Sequence, residues 1–210
     1  MSSCFKMTIF LLALLGMASS WTTVHDKDGI TIKIQAVDEY RTETLHAEKI
    51  LDGSLDEVFR ALQANKGAGD SVVRETVVIY SKYDHLVITQ VDLPWPIQDR
   101  YFATRNVTKF DDGTITIVSR SVQPPKRFAI TDKLLGAVNI SRFVLTEEGP
   151  QHTKVEMEFN IDPKGLIPAW IMNQIQRTKP LDFYASLEKT LIDVQRHEDG
   201  PKILPAREKP

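Results

Sequence analysis

Apolar and polar residues alternate along most of the chain, which is the pattern of strands with one buried face. Ile30, Ile32 and Ile34 alternate with polar residues directly after an Asp-Gly turn. Similar runs cover residues 72–81, 86–91, 101–109, 114–122, 138–146 and 153–162, and a less regular run covers 40–51. Because short turn sequences join consecutive runs, the pattern predicts an antiparallel meander.

Two segments have helical periodicity instead. Ser54 followed by Glu57 is a capping box, and the apolar residues from Leu55 to Leu62 recur at three- and four-residue spacing. A longer helix is expected from Pro168 onwards, since proline is tolerated in a first helical turn. Pro180 lies inside this region and is expected to bend or break the helix. The sequence therefore predicts an α+β fold with a short early helix and a long C-terminal helix.

The N-terminal residues have the pattern of a secretory signal peptide. Lys6 precedes the apolar run 7–15, which is too short to span a bilayer comfortably, and small residues follow it. An uncleaved membrane anchor is the alternative. We therefore expect a signal peptide at 1–20 and export across the inner membrane to a bacterial periplasm. The mature domain is then expected at 21–197, with a disordered, charged and proline-rich tail at 198–210.

Composition disfavours several classes of function. The 210 residues suffice for one domain with a sizeable core, and a net charge of −2 is unlike that of a nucleic-acid binder. The single cysteine, Cys4, lies in the leader, so neither an internal disulfide nor a cysteine zinc site is expected. The sequence also lacks the nucleophile elbow, the phosphate-binding loop and the His-Glu-x-x-His motif. We expect a monomer without cofactor, metal or nucleic-acid partner.

The most distinctive segment runs from Leu93 to Arg100. Pro94 and Pro96 restrict the backbone on both sides of Trp95 and remove two N–H donors. Such a segment does not fit the middle of a sheet, so we expect a rigid loop that presents an aromatic ring. Two interpretations are open: the mouth of a pocket, or a proline-braced turn with a surface ion pair.

Two motifs together resemble a known family. The first is Pro94-Trp95-Pro96-x-x-Asp99-Arg100, and the second is Asp162-Pro163-Lys164-Gly165-Leu166-Ile167-Pro168-Ala169-Trp170-Ile171-Met172-Asn173. In this order and spacing they resemble the bacterial START-domain proteins, which are relatives of the steroidogenic acute regulatory lipid-transfer domains. The resemblance covers roughly residues 21–194. It implies a helix-grip fold, in which a curved antiparallel sheet wraps around a long C-terminal helix and encloses an apolar cavity.

This resemblance implies that the chain binds a lipid or another hydrophobic small molecule and contacts membrane surfaces transiently. Burial of apolar ligand surface contributes about 25 cal/mol per Å², so such binding requires no catalytic group. Two alternatives remain open. One is a structural envelope protein with a filled core, and the other is a cyclase-like enzyme of the same superfamily. Export argues against the enzyme, since carrier-bound polyketide substrates are cytosolic.

The resemblance also places the cavity entrance at two proline-stiffened loops, 93–96 and 165–168, beside the start of the last helix. Trp95 and Trp170 are therefore the aromatic candidates for contact with ligand or membrane. The alternative is that both rings belong to the core.

Arg100 is the remaining candidate, because the resemblance implies that it points into the cavity as part of a buried ion pair. A buried guanidinium requires a partner, and Asp99 is a poor one since neighbouring side chains on a strand face opposite sides. Glu75 and Glu43, on other predicted strands, are the better candidates. The pair is expected either to bind a polar group of the ligand or to close the cavity floor.

Overall fold

The structure, a computed structural model, describes residues 20–65, 72–93 and 95–197, without the side chains of 72–74. Residues 1–19 of the predicted signal peptide and the predicted tail lie outside this part. The elements are β1 (Thr22–Lys27), β2 (Ile30–Gln35), β3 (Thr44–Asp52), α1 (Leu55–Ala64), β4 (Val72–Ser81), β5 (Asp84–Val91), β6 (Arg100–Asp111), β7 (Thr114–Ser121), a 3-10 turn (Lys126–Phe128), β8 (Leu134–Leu135), β9 (Ala137–Gly149), β10 (His152–Asp162) and α2 (Ala169–Arg196).

The strands form one curved sheet with the order β1-β2-β3-β10-β9-β7-β6-β5-β4, and β8 pairs with β6 in parallel beside this path. Neighbouring strands along the path are antiparallel, which confirms the predicted meander within β1–β3 and from β4 to β10. Between these two parts β3 pairs with β10 rather than with β4, which lies at the opposite edge. Gly29 and Gly113 take left-handed backbone angles in two of the turns, with φ of 71° and 67°. The 3-10 turn and β8 were not predicted, because elements of two or three residues carry no periodic pattern.

Helix α1 begins as the capping box predicts. The Ser54 hydroxyl accepts a hydrogen bond from the Glu57 backbone N–H at 3.4 Å, and the Glu57 carboxylate accepts one from the Ser54 backbone N–H at 2.7 Å. The apolar face of the helix is buried, including Val58 and Phe59. These reciprocal bonds satisfy donors that a helix start otherwise leaves unpaired.

Helix α2 continues through Pro180 for 28 residues, about 42 Å at 1.5 Å per residue. Of the two predicted effects of Pro180, a break in the helix is therefore wrong, and a bend stays a prediction. Pro180 is itself buried, and Tyr184 and Leu187 of the following turns are fully buried in the core. This packing outweighs the hydrogen bond that a proline removes. In the part of the chain that the structure describes, no helix is both long and apolar enough to cross a membrane.

The two faces of the sheet differ in what covers them. Phe110 of β6 packs edge-on against Phe59 of α1, with ring centroids 5.6 Å apart. Because side chains alternate along an unbulged strand, the even-numbered residues of β6 share this face, which we name the helix-facing side. The larger hydrophobic cluster contains residues of this side and of both helices. A smaller cluster of Leu86, Ile88, Tyr101 and Ala103 lies on the opposite, outer face.

Gly136, which precedes β9, has no side chain and so leaves room for the Phe102 ring on the helix-facing side. A Cβ atom added to Gly136 would lie 2.2 Å from Cε1 of the Phe102 ring. Gly136→Ala therefore displaces the ring, and we expect the free energy of unfolding to fall by about 1–3 kcal/mol in urea denaturation. The double variant Gly136→Ala/Phe102→Leu should recover part of this loss. Unchanged stability of Gly136→Ala would show that the ring does not occupy this position.

Candidate functional site

Arg100 joins the two proline-containing loops that were predicted to lie together. It is the first residue of β6, and only 3% of it is exposed. Its guanidinium donates hydrogen bonds to the carbonyl oxygens of Pro163 at 2.9 Å, Lys164 at 3.3 Å and Gln98. The end of the first loop, 93–99, is thereby fastened to the start of the second loop, 163–168.

The carboxylate partner expected for Arg100 is absent from the described part of the chain. Glu43 instead forms an ion pair with Arg177 of α2 at 2.8 Å. Glu75 is exposed and accepts a hydrogen bond from Thr89 at 3.5 Å. The prediction of a buried ion pair with Glu75 or Glu43 is therefore wrong, because backbone carbonyls satisfy the guanidinium. A ligand-binding role of Glu75 remains a prediction.

The electrostatic environment of Arg100 agrees with this arrangement. Burial lowers the pKa of its guanidinium, and the charge of Asp99 acts in the opposite direction. Carbonyl dipoles stabilise the buried cation without a second buried charge. Arg100 therefore links the two loops through hydrogen bonds to their backbone carbonyl oxygens.

Asp99 braces the first loop from within. Its carboxylate accepts hydrogen bonds from the Leu93 backbone N–H at 2.9 Å and from Lys133 Nζ at 3.0 Å. Both contacts lower the pKa of Asp99 below its ordinary value, and the hydrogen bond from the Leu93 N–H has the larger effect. The interpretation of Asp99 and Arg100 as a surface ion pair is thus replaced by separate partners: Lys133 for the aspartate and the second loop for the arginine.

The second loop is also held by Arg41, which precedes β3. The Arg41 guanidinium donates to the carbonyl oxygens of Gly165 at 2.8 Å and of Ile167. Asp162 at the loop start accepts hydrogen bonds from the backbone N–H and the ammonium of Lys164, both at 2.8 Å. Burial of Asp162 opposes its ionisation, but the Lys164 contacts prevail and its pKa is lowered. Both loops are consequently fixed by charged side chains.

Three large apolar side chains project from this end of the domain: Trp95 on the first loop is 93% exposed, Leu166 on the second loop 97%, and Trp170 in the first turn of α2 71%. We name them the apolar tip. The alternative that both tryptophans belong to the core is excluded by these exposures. Arg100 and Arg41 hold the backbone on either side, so the exposed rings are presented by a fixed scaffold.

The helix-facing region contains two buried polar atoms that sequence reasoning missed. Asn106 Oδ1 on β6 and Gln176 Nε2 on α2 have no hydrogen-bond partner in the described part of the chain. Gln176 is 6% exposed, and its other amide atom accepts a hydrogen bond from Ile161 N at 3.3 Å. A buried polar group without a partner costs about 1–3 kcal/mol. Only the assembled fold identifies these atoms, because burial and pairing depend on where separate elements meet.

One side-chain cluster on the outer face has ligand types suited to a metal. His46, Glu48 and Glu156 each offer an atom, and these lie within 4.8 Å of one another. Lys154 already binds both carboxylates, at 2.9 Å to Glu48 and 3.3 Å to Glu156. Its hydrogen bond is the main cause that lowers the pKa of Glu48. The cluster is best described as an ion-pair network across the neighbouring strands β3 and β10.

The long C-terminal helix held against a curved antiparallel sheet defines a helix-grip domain, as predicted. The START domain family model matches residues 6–195, so the chain belongs to the START domain family.

Solved structures and a bacterial relative agree with this membership. Human StAR-related lipid transfer protein 5 superposes with a TM-score of 0.73 at 19% identity, covering 85% of this chain and 89% of that one. The STAR-related lipid transfer protein of Xanthomonas axonopodis gives 0.66 at 18% identity, covering 82% and 98%. An uncharacterized protein of Pseudomonas aeruginosa is 20% identical over 195 residues, 87% of this chain and 94% of its own length. At these identities the likeness of the structures establishes the fold.

Proposed function

We propose that the domain binds a lipid or another hydrophobic molecule between helix α2 and the helix-facing side of the sheet. Family membership supports a hydrophobic ligand, and two structures of the same fold are named as lipid transfer proteins. The observation that carries the proposal is the pair of unpartnered atoms, Asn106 Oδ1 and Gln176 Nε2. The apolar body of a ligand supplies most of the affinity there, and each of these atoms offers a hydrogen bond to a polar group of the ligand.

The ligand enters, in this proposal, past the apolar tip at the two braced loops. Tryptophan favours the membrane–water interface because it combines a large apolar ring with an N–H donor. Trp95, Leu166 and Trp170 are exposed together at this end of the domain. Transient insertion of these side chains into a bilayer surface brings the entrance to its lipid source.

We also propose that the protein is exported to a bacterial periplasm, as the leader pattern at 1–20 indicates. There a monomeric domain without catalytic groups binds its ligand through shape and apolar burial. The two alternatives, a ligand-free envelope protein and a cyclase-like enzyme, differ from this proposal in what the purified protein contains.

Native mass spectrometry of the full chain expressed in its own host tests the proposal. The expected spectrum contains a complex with a hydrophobic small molecule, which is released on denaturation, and the mass of the remaining chain reports cleavage of the leader. Gln176→Leu removes the unpartnered Nε2, together with the Oε1 that accepts from Ile161 N, at similar volume, and should change the composition of bound species towards less polar ones. Surface variant Gln174→Leu on the same helix is the matched control. A ligand-free mass, together with no uptake from lipid vesicles, would support the structural alternative instead.

A further inference from the structure

A groove on the outer face lies apart from the proposed lipid site. Its volume is about 470 Å³, within the roughly 300–1,000 Å³ of small-molecule sites. A second cavity of about 350 Å³ shares two of its lining residues. The groove lies on strands β6 and β7 and is lined by Arg105, Val107, Lys109, Val118, Arg120, Ser121 and Val122.

The pairing of β6 with β7 assigns the groove to the outer face. Arg105 pairs with Arg120 and Val107 pairs with Val118, and the side chains of such cross-strand pairs lie on one side of a sheet. Arg105 follows Tyr101 and Ala103 of the outer cluster at even spacing along an unbulged strand. The sheet therefore separates the groove from α1, α2 and the unpartnered atoms of the helix-facing side.

The charges in the groove are only partly compensated. Arg105 and Arg120 are like charges in directly opposite positions, an unfavourable arrangement on a sheet. Asp84 neutralises Arg105 through a two-point contact that includes a 2.8 Å hydrogen bond, and this contact raises the pKa of Arg105. The side chains of Arg120 and Lys109 form no hydrogen bond or ion pair within the described part of the chain. Two uncompensated cations thus flank the cross-strand pair of Val107 and Val118.

We propose that this groove binds an amphipathic anion, namely a carboxylate group carried by a single acyl chain. The planar guanidinium of Arg120 matches a carboxylate with two parallel hydrogen bonds. The chain lies over Val107 and Val118, and Lys109 adds attraction for the anion. The two valines are half-buried, which suits one chain in a groove rather than a flat bilayer.

The test uses the full chain with isotope-labelled valine methyl groups, observed by NMR. Dodecanoate below its micelle concentration is compared with dodecanol, which keeps the chain, and with acetate, which keeps the charge. We expect contacts between the dodecanoate chain and the methyl groups of Val107 and Val118. Dodecanoate should bind at least about tenfold more tightly than dodecanol or acetate, because dodecanol lacks the carboxylate and acetate lacks the acyl chain.

Variants separate the contributions of the cations. Arg120→Gln should weaken dodecanoate binding at the groove about tenfold, and Lys109→Gln should weaken it less, since a lysine acts as a point charge. Arg196→Gln, at an exposed arginine on α2, is the matched control and should leave binding unchanged. Unperturbed methyl signals elsewhere confirm that each variant is folded.

The possible outcomes distinguish this site from the lipid site. Dodecanoate contacts at the groove support the inference even if the protein takes up no lipid from vesicles, a result that would contradict the proposed function. The inference is overturned, and the proposed function left intact, if dodecanoate contacts only the helix-facing side. The same holds if Arg120→Gln binds dodecanoate as tightly as the unmodified chain does. Groove signals that respond to anionic phosphatidylglycerol vesicles but not to dodecanoate also overturn it, since the partner is then a membrane surface.

Discussion

Replacement of Arg100 by methionine is expected to lower the free energy of unfolding by about 3–5 kcal/mol. The side chain is buried, and its guanidinium serves carbonyl oxygens of Gln98, Pro163 and Lys164. Hydrogen bonds to charged groups contribute roughly 1.5–3 kcal/mol each, and methionine leaves three acceptors without a donor. The loss also frees the two loops from each other.

Urea denaturation followed by circular dichroism measures this effect. Arg105→Met is the matched control, because Arg105 lies on the same strand but its side chain is 54% exposed and pairs with Asp84. An exposed ion pair of this kind contributes about 0–1 kcal/mol. If the two variants lost equal free energy of unfolding, the role of Arg100 in linking the loops would be contradicted.

Arg100→Lys provides a second discriminating variant. A lysine retains the positive charge but lacks the planar fork that reaches several acceptors at once. We therefore expect Arg100→Lys to recover only a small part of the stability lost in Arg100→Met. Full recovery would instead indicate that charge alone matters, as in the buried ion pair that the family resemblance implies.

Local signals account for the parts of the fold that the sequence predicted correctly. The alternation from Ile30 to Ile34 and the Asp-Gly turn directly before it depend only on neighbouring residues, and the structure confirms this strand and this turn. The capping box at Ser54 is likewise a short-range pattern. The family resemblance then supplied the arrangement of these elements, which periodicity alone does not determine.

Tertiary contacts explain what the sequence could not predict. The partners of Arg100 are carbonyl oxygens from a distant loop, and every residue has such an oxygen, so composition gives no signal for them. Pro180 remains inside a helix because buried residues on both sides hold it there. The like-charge pair of Arg105 and Arg120 appears only once the strand register is known. These features depend on where separate elements meet.

The largest functional effect is expected at the apolar tip. Trp95→Ala and Trp170→Ala should each slow lipid uptake from vesicles by about tenfold, since a buried aromatic side chain contributes roughly 1.5–3 kcal/mol to membrane contact. Both rings are exposed in the free protein, so the free energy of unfolding should change by no more than about 0.5 kcal/mol. Stopped-flow transfer of a fluorescent lipid measures the rate.

The design of this experiment separates an entrance from a binding residue. An entrance residue changes the rate of uptake but leaves the final bound fraction unchanged, because the ligand does not contact it after loading. Ile50→Ala, at an apolar side chain of β3 that is 55% exposed, is the matched control and should leave the rate unaltered. The tip is uncharged and the chain has a net charge of −2, so uptake from neutral vesicles should respond little to salt. A large loss of stability with unaltered uptake would contradict the entrance role of Trp95, and a lower bound fraction at equilibrium would assign it to the ligand site.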